Sequence, residues 1–297
     1  MNARMLATLL IVSSVGVAAA EAEDIAGTIV ATKMIFEDSQ LTGNVTCMVV
    51  GAPCIQFAAD DIALKLNRFT ITGLADPNTG CGGTLVANES GIDTNGRHSV
   101  EIEGPGLVQQ FRFSGIHLIG TTQATVKRVT VSTNCFAGMS LFGSSDNELE
   151  ENVAIKNGNF TNGCGGIELV GLNVGGVIVG SNNNLVKANL VAGNGYSNPS
   201  ENDFGILVGL GNNNLIEKNT VVGNTIGIRI GAAVVGNVVT ENVAVGNPPI
   251  QVSNSFPATA ALRADIRDSS PSGANTFDKN FCLTYIGAGP APCPNFP

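Results

Sequence analysis

One position of a repeated segment carries many of the side chains in this sequence that could perform chemistry. The segment reads glycine, aliphatic residue, any residue, aliphatic residue. Its variable third position is occupied, in chain order, by His117, Ser140, Glu168, Leu207 and Arg229. A carboxylate or an imidazole can transfer a proton, and a guanidinium can neutralise an acid. If successive copies stack, we expect these side chains to share one exposed face.

An insertion between two copies of the segment supplies a second polar group. It contains an aromatic ring, an amide and two carboxylates, and an aromatic ring can stack on a sugar. The candidate substrate-binding residues are Tyr196, Glu201 and Asn198. The candidate catalytic residues are Glu168, Arg229, His117 and Asp203. We predict no metal ligands.

These candidates come from the repeat and its insertions, not from a dedicated catalytic motif. Two acids that hydrolyse a glycosidic bond must face each other at about 5 to 10 Å. Glu168 with Glu201 or Asp203 is the pair that the repeat places on one face. The alternative is that the outward strand positions are simply solvated and that the insertion acids keep a surface loop polar.

Short repeated strands must position these residues. The first half-motif occurs at 115–118, 138–141, 166–169, 205–208 and 227–230. A second half-motif, Asn-x-aliphatic-x-x-Asn-aliphatic, begins at Asn147, Asn184, Asn214, Asn237 and Asn275. Apolar and polar residues alternate with period two, which predicts strands. Strands this short, with no helix between them, can pair if each repeat stacks on the preceding one, about 4.8 Å away.

The repeat predicts an all-β fold, a single-stranded right-handed parallel β-helix (a solenoid) with coils of about 22 residues. We expect a signal peptide at 1–22 and one β-helix domain at 23–297. Within that domain, an irregular cap extends to about residue 60, regular coils occupy about 61–247, and irregular coils and a tail occupy 248–297. Longer coils carry insertions, which are the best places for a binding site.

Asparagines recur at five-residue intervals within the repeats, which predicts columns of asparagines along the solenoid. The second and third columns contain Asn152, Asn189, Asn219 and Asn242, and Asn157, Asn194, Asn224 and Asn247. Asparagine tolerates the left-handed backbone of a sharp corner, and its amide can bond its counterparts in the coils above and below. The alternative is a functional polar row that binds ice or sugar.

Seven cysteines predict disulfides with one thiol left over. Cys135 and Cys164 occupy nearly the same corner of successive coils, and the coil spacing suits a disulfide. Cys282 and Cys293 are natural partners because they are close in the C-terminal tail. The remaining cysteines, which can supply one bridge and the odd thiol or alternatively bind a metal, are Cys47, Cys54 and Cys81.

The N-terminus predicts export. A short basic start precedes the apolar run 5–17, and the small residues 18–20 offer a cleavage site, so we predict a secreted or periplasmic protein. No later apolar run is long enough for a membrane span. The net charge of −9 argues against nucleic acid as a partner, since phosphates are neutralised by clustered Lys and Arg.

The repeats, together with the looser segments 62–73 and 98–108, resemble right-handed parallel β-helix repeat proteins of the pectin-lyase-like superfamily. They are most similar to its carbohydrate-binding and sugar-hydrolase repeat domains, over about residues 45 to 285. This superfold hosts lyases, hydrolases, epimerases and adhesins, so the resemblance implies the fold more firmly than the reaction. Calcium sites of the pectate-lyase type need several aspartates, which these strands lack. We therefore predict no cofactor, and calcium is without support.

Three hypotheses for the function follow. The first is an exported β-helix that binds an extended carbohydrate, with no reaction that the sequence proves. The second is a polysaccharide lyase, hydrolase or epimerase that uses the candidate residues. The third is a structural or adhesive protein of the cell envelope, which would need only the coil. The oligomeric state is not predicted.

Overall fold

The computed structural model describes residues 22–75, 85–158, 165–195, 204–247 and 264–293. Within these ranges the chain forms 28 β-strands and no helix. All strand pairs in the two large sheets are parallel, and each strand pairs with the equivalent strand of the next coil. The predicted all-β parallel solenoid is therefore confirmed, and its parallel pairing already begins at Glu23.

The solenoid has three faces, each formed by parallel β-strands. Long strands run along both of the first two faces: β1 (Glu23–Ile29), β3 (Ser39–Cys47), β8 (Glu101–Gln109) and β10 (Thr125–Ser132). Short strands of the first face are β5 (Ala63–Lys65), β12 (Glu148–Glu150), β17 (Leu185–Lys187), β20 (Leu215–Glu217), β23 (Val238–Thr240) and β26 (Thr276–Asp278). Short strands of the second face are β6 (Thr70–Thr72), β13 (Val153–Ile155), β18 (Leu190–Ala192), β21 (Thr220–Val222), β24 (Val243–Val245) and β27 (Phe281–Cys282).

The third face is a separate ten-stranded sheet. Its strands are β2 (Lys33–Ile35), β4 (Ile55–Phe57), β7 (Ile92–Asp93), β9 (Ile116–Ile119), β11 (Ala137–Phe142), β14 (Gly165–Val170), β19 (Phe204–Val208), β22 (Ile226–Ile230), β25 (Ile266–Asp268) and β28 (Tyr285–Ile286). The strands β9, β11, β14, β19 and β22 contain the glycine-aliphatic segments. The third face therefore carries the variable position at which the candidate catalytic residues lie.

Aliphatic side chains from all three faces fill a continuous core. On the first face, Val126, Leu149 and Val186 lie in register on consecutive coils and are fully buried. On the third face, Ile116 and Met139 do the same. The period-two alternation turns these side chains inward and sends their neighbours outward. The core thus fixes the register of the outward residues as well.

The predicted asparagine columns exist and lie inside the solenoid. They consist of Asn147, Asn184, Asn214, Asn237 and Asn275; of Asn152, Asn189, Asn219, Asn242 and Asn280; and of Asn134, Asn157, Asn194, Asn224 and Asn247. In each column, every asparagine after the first accepts, through its side-chain oxygen, a hydrogen bond from the backbone N–H of the asparagine one coil earlier. Nearly all are buried. The functional alternative, an outward polar row that binds ice or sugar, is therefore wrong.

The repeat predicts the left-handed corner conformation at the column asparagines, and this prediction is wrong. The left-handed backbone falls on the residue before each column asparagine, except before Asn275. Glu151, Ala188 and Lys218, for example, have φ of 55°, 54° and 56°. The column asparagines themselves keep negative φ, because their side chains must point inward to reach the next coil. Asparagine is selected here for its amide and not for its backbone tolerance.

A ladder of alternating charges runs along the outside of the first face. Lys127, Glu150, Lys187 and Glu217 lie in register on consecutive coils. Glu150 Oε2 lies 3.4 Å from Lys127 Nζ, and its Oε1 lies 3.3 Å from Lys187 Nζ. Partial burial raises the pKa of the Glu150 carboxyl, but contacts from Lys187 and Lys127 outweigh it, so the pKa lies below its ordinary value. We call these four residues the charge ladder.

Replacing Glu150 with glutamine is expected to lower the free energy of unfolding in neutral buffer by no more than about 1 kcal/mol, because the pair is partly solvated. The folded-state pKa lies below the ordinary value of 4.5. The contribution of Glu150 is therefore present above that value and is lost as the pH falls through the folded-state pKa. Denaturant titrations in neutral and strongly acidic buffer should show the two proteins converging in acid. An equal difference in both buffers would contradict this.

Two disulfides lie within the described residues. Cys282 and Cys293 are bonded, as their proximity predicts, with Cα atoms 5.0 Å apart. Cys47 bonds Cys54, with Cα atoms 5.9 Å apart, and this is the single bridge expected from the N-terminal cysteines. Cys135 is also disulfide-bonded. Both Cys81 and Cys164 lie outside the described residues, so the Cys135–Cys164 pairing stays a prediction.

An antiparallel hairpin projects from the solenoid between β14 and β17. Its strands are β15 (Leu172–Val174) and β16 (Val177–Val179), and its turn is formed by Gly175 and Gly176, both with positive φ. Two consecutive residues with positive φ are typical of the tight hairpin turns that glycine favours. This hairpin is one of the insertions expected from the swollen repeats. Among the described residues, no helix is long and apolar enough to cross a membrane.

Candidate functional site

The residues at the variable position lie in register on the third face. His117, Ser140, Glu168, Leu207 and Arg229 occupy consecutive coils and point away from the core. The structure extends the row by one coil at each end, because Asp93 pairs with His117 and Arg267 pairs with Arg229. We call these seven residues the site column.

The polar half of the site column is not exposed, contrary to the sequence prediction. His117, Ser140 and Glu168 have exposed fractions of 3%, 0% and 1%. Outward strand positions are solvated only where nothing packs on the sheet, and here side chains from outside the strands lie over it. Burial strengthens electrostatic interactions among these groups and makes each unsatisfied polar atom costly.

Asp93 and His117 form a buried acid-imidazole pair at the start of the site column. His117 Nδ1 lies 2.9 Å from Asp93 Oδ2, and Asp93 Oδ1 accepts a hydrogen bond of 2.7 Å from the backbone N–H of Asn95. A carboxylate only accepts, so Nδ1 of His117 must carry the proton. Nε2 is buried and has no hydrogen-bond partner among the described residues. In a neutral ring that atom holds a lone pair, which is the feature of a proton acceptor.

A second ion pair joins the coils that carry Asp93 and His117. Glu89 precedes the first coil's strand, Arg112 precedes the second, and the Arg112 guanidinium donates two hydrogen bonds of 2.6 Å to the Glu89 carboxylate. Glu89 also accepts from the backbone N–H of Gly51. The hydrogen bond to Glu89 raises the pKa of Arg112 above its ordinary value. This two-pronged contact holds the two coils, and hence the Asp93–His117 pair, in fixed relative positions.

Three phenylalanines pack around His117. The rings of Phe113 and Phe142 meet the imidazole edge to face, with centroids 5.2 and 5.1 Å away. Phe136 stacks on Phe113 with a centroid distance of 4.7 Å. Phe136 and Phe142 are half-buried and reach the surface. The cluster both covers the imidazole and presents aromatic surface beside it.

Ser140 and Glu168 follow His117 along the site column. The Ser140 hydroxyl lies 2.7 Å from that of Ser114, so it is held within the sheet and does not engage His117. The small serine separates the imidazole from the Glu168 carboxylate by two coil steps, about 10 Å between their Cα atoms. An acid and a base at that spacing can act on opposite sides of one bound group.

The far half of the site column is apolar and then basic. Leu207 packs with Phe204 and Ile226 in a small cluster outside the main core. The Arg229 guanidinium lies over the Phe204 ring, with Cζ 4.9 Å from the centroid, a cation–π contact. Arg267 follows on the next coil, and its Nη1 is buried without a hydrogen-bond partner among the described residues.

Comparison with known proteins establishes the family. The sequence profile described as "Right handed beta helix region" matches residues 90–261, more than half of the chain. The chain belongs to the right-handed β-helix family. The matched residues contain six of the seven site-column positions, and the fold agrees with the pectin-lyase-like type that the repeats resemble. No curated protein sequence matches the chain.

Solved structures similar to this right-handed β-helix include two tailspikes. The enzymatically active domain of tailspike protein 2 from bacteriophage CBA120 matches with a TM-score of 0.57 and 13% identity, covering 89% of this chain and 38% of that one. The Dettilon tailspike matches with a TM-score of 0.50 and 13% identity, covering 89% and 61%. At such identities the likeness shows the fold alone, and the chain spans less than two thirds of either tailspike.

The A-module of a mannuronan C-5 epimerase from Azotobacter vinelandii also resembles this β-helix, with a TM-score of 0.48 and 14% identity. The match covers 86% of this chain and 81% of the module.

Asp93 and Arg267 are members of the site column that the repeat does not predict. The segment Gly91-Ile92-Asp93 begins like the half-motif, but Thr94 takes the place of the second aliphatic residue. Arg267 follows Ile266, but the glycine of the motif is replaced by Asp265. Asp93 precedes His117 by 24 residues, about one coil, so the glycine-aliphatic pair at that spacing is a signal for it. Arg267 follows Arg229 by 38 residues and has no comparable signal in the sequence.

The candidates from the long insertion lie outside the described residues of the β-helix. These are Tyr196, Asn198, Glu201 and Asp203. The expected pairing of Glu168 with Glu201 or Asp203 therefore stays a prediction. Within the described ranges, no group of three or more His, Cys, Asp or Glu side chains is placed to hold a metal ion.

Proposed function

We propose that this protein binds an extended carbohydrate along the site column on the third face. The observation that carries the proposal is the in-register row of acidic, imidazole, hydroxyl and guanidinium groups on consecutive coils. Six coil steps separate its ends, which is about 29 Å. A row of that length and straightness suits a polymer that lies along the solenoid better than a compact ligand.

The side chains at the two ends of the site column also suit a carbohydrate. Sugars offer hydroxyl groups for hydrogen bonds and apolar ring faces for stacking on aromatic rings. Phe136 and Phe142 provide half-buried rings at one end, and Arg229 and Arg267 provide half-buried guanidinium groups at the other. These four side chains make first contact, while His117 becomes accessible only if the phenylalanine rings packed on it move.

A panel of uronate-containing and neutral polysaccharides tests this proposal directly. Retention on the immobilised polysaccharide without turnover supports the binding function. Bond cleavage, new unsaturated ends or a changed uronate configuration supports a lyase, hydrolase or epimerase. Absence of both binding and turnover contradicts the proposal and favours a structural or adhesive role in the cell envelope.

An enzymatic role is the second candidate, because the buried Asp93–His117 pair leaves an unsatisfied Nε2 two coils from Glu168. In that case Glu168→Gln should lower turnover roughly 10²–10⁴-fold, since the amide cannot exchange a proton. Initial rates on whichever polysaccharide turns over provide the measurement. Glu148→Gln, an exposed residue on the first face, is the matched control. Unchanged turnover in Glu168→Gln would remove Glu168 from the site.

We also propose that the protein is exported. The disulfides Cys47–Cys54 and Cys282–Cys293 support this, because disulfides persist in secreted and periplasmic proteins and are rare in a reducing cytosol. An extended carbohydrate in the envelope or outside the cell would then be accessible to the site column.

A further inference from the structure

We propose that Ser90 and His117 form a subsite for one hydroxyl group of the bound carbohydrate. The hydroxyl donates a hydrogen bond to Nε2 of His117 and accepts one from Oγ of Ser90, beneath the phenylalanine rings at the N-terminal end of the site column. This inference rests on the proposed function and deepens it, because it names the group of the polymer that this end of the column recognises.

Two buried polar atoms at this end of the third face lack a hydrogen-bond partner among the described residues. They are Oγ of Ser90 and Nε2 of His117, and the two residues are 0% and 3% exposed. Nδ1 of His117 donates to Asp93, so Nε2 can only accept, whereas the serine hydroxyl has a proton to donate. A buried polar atom without a partner costs free energy, and a ligand that satisfies it gains affinity for that reason.

The repeat places the Ser90 hydroxyl beside His117. Ser90 and Ser114 precede the glycine-isoleucine pairs of consecutive coils, and the carbonyl of each accepts from a backbone N–H of the coil before it. The Ser114 hydroxyl lies 2.7 Å from that of Ser140, the site-column residue of the next coil. The site-column residue of the coil after Ser90 is His117. By this equivalence, the Ser90 hydroxyl faces the imidazole.

The imidazole is turned toward the coil that carries Ser90. The Asp93 carboxylate, which lies 2.9 Å from Nδ1 of His117, belongs to that coil and follows Ser90 by three residues. The Ser90 hydroxyl and Nε2 of His117 do not bond each other, so a group between them has to satisfy both. A hydroxyl oxygen does this with a single atom, because it donates one hydrogen bond and accepts others. A carboxylate or a sulfate ester has no proton for Nε2.

The rings around His117 suit the sugar that carries this hydroxyl. Phe113 and Phe142 pack edge to face on the imidazole, and Phe142 is the more exposed of the two. A hydroxyl therefore reaches Nε2 when Phe142 rotates away, and the half-buried rings of Phe142 and Phe136 offer stacking surface for the sugar ring. A water molecule has the same hydroxyl chemistry, but it gives the polymer no dependence on Ser90.

Ser90→Ala and Ser114→Ala are a matched pair of variants for the test. Each removes the hydroxyl of a fully buried serine at an equivalent position, and the Ser114 hydroxyl is already bonded to Ser140. Affinities of the intact proteins for dextran, xylan, galactan and polygalacturonate are measured by affinity electrophoresis or calorimetry. The ¹⁵N shift of His117 Nε2 is recorded with and without the bound polymer in a His98→Gln background, where His117 is the single histidine.

We expect Ser90→Ala to bind the preferred polymer roughly tenfold more weakly than wild type, because a buried hydrogen bond to the ligand is lost. Ser114→Ala should bind as wild type does. The polymer should also move the ¹⁵N resonance of Nε2, since that atom accepts a new hydrogen bond.

Three other outcomes overturn the subsite but leave carbohydrate binding intact. Unchanged affinity in Ser90→Ala assigns the two atoms to a water molecule only. An equal loss in both serine variants assigns the effect to packing. An Nε2 resonance that the polymer does not move removes His117 from the contact. If no polymer of the panel binds, the subsite and the proposed function both fail.

Discussion

Replacing Asn219 with alanine is expected to lower the free energy of unfolding by about 3–5 kcal/mol. Asn219 Oδ1 accepts from the backbone N–H and the Nδ2 of Asn189, at 2.9 and 3.0 Å. Its Nδ2 donates to the carbonyl of Val186 and to Oδ1 of Asn242, at 2.8 and 3.0 Å. Alanine removes all four bonds. In the preceding coil, the backbone N–H and Nδ2 of Asn189 and the carbonyl of Val186 each lose a partner, whereas Asn242 Oδ1 in the following coil keeps its bond from the backbone N–H of residue 219. Each buried group left unsatisfied costs about 1–3 kcal/mol before relaxation.

Equilibrium denaturation in guanidinium chloride measures the loss. The matched control is Thr220→Ala, an exposed position next to Asn219, which should change stability by no more than about 0.5 kcal/mol. Stacked repeats can unfold in parts, which changes how steeply the free energy of unfolding depends on denaturant concentration. The comparison is therefore valid when this slope is the same for both variants. A loss below about 1 kcal/mol in Asn219→Ala would show that the columns are not a major source of stability.

The columns also explain why one of them ends in a carboxylate. In the third column each side-chain oxygen accepts from the coil before, and the last acceptor is Asp265, which receives the backbone N–H and Nδ2 of Asn247. The second oxygen of Asp265 accepts from the backbone N–H groups of Leu283 and Thr284 and from the Thr284 hydroxyl. The side chain of Asp265 meets only hydrogen-bond donors, so it does not need the N–H group that an asparagine amide would add. An aspartate can therefore take the last position of the third column.

The sequence predicts the fold and the register of the site column because both depend on the period of the repeat. The glycine-aliphatic segments align His117 with Arg229 across four coil steps, and the structure reproduces that alignment. The residue before each column asparagine could not be predicted in the same way. In the second column that position holds residues such as Glu151, Ala188 and Lys218, so its left-handed backbone leaves no mark in the composition there.

The burial of the site column could not be predicted from the repeat either. The rings that pack on His117 belong to Phe113 and Phe142, and Phe136 stacks on Phe113. Phe113 and Phe136 lie outside the repeated segments. A pattern that records which face a side chain points to does not record what packs on that face. The pairing of Asp93 with His117 is hidden for a related reason, since one irregular residue interrupts the motif at that coil.

Asp93→Asn is expected to reverse the tautomer of His117. Asp93 Oδ1 accepts from the backbone N–H of Asn95, and its Oδ2 faces His117 Nδ1. In the variant the amide oxygen must stay with Asn95, so the amide NH₂ faces Nδ1. Nδ1 then has to accept, and the proton moves to Nε2. The ring changes from a proton acceptor at Nε2 to a donor, and any turnover that uses it should fall roughly 10²–10⁴-fold.

Two-bond ¹H–¹⁵N correlation spectra distinguish the tautomers. The chain contains two histidines, so a His98→Gln background leaves His117 as the single signal and serves as the control. His98 is half-exposed beside Asp60, away from the site column. In that background we expect protonated Nδ1, and protonated Nε2 once Asp93→Asn is added. Protonated Nε2 with Asp93 intact, or an unchanged tautomer in Asp93→Asn, would refute the assignment.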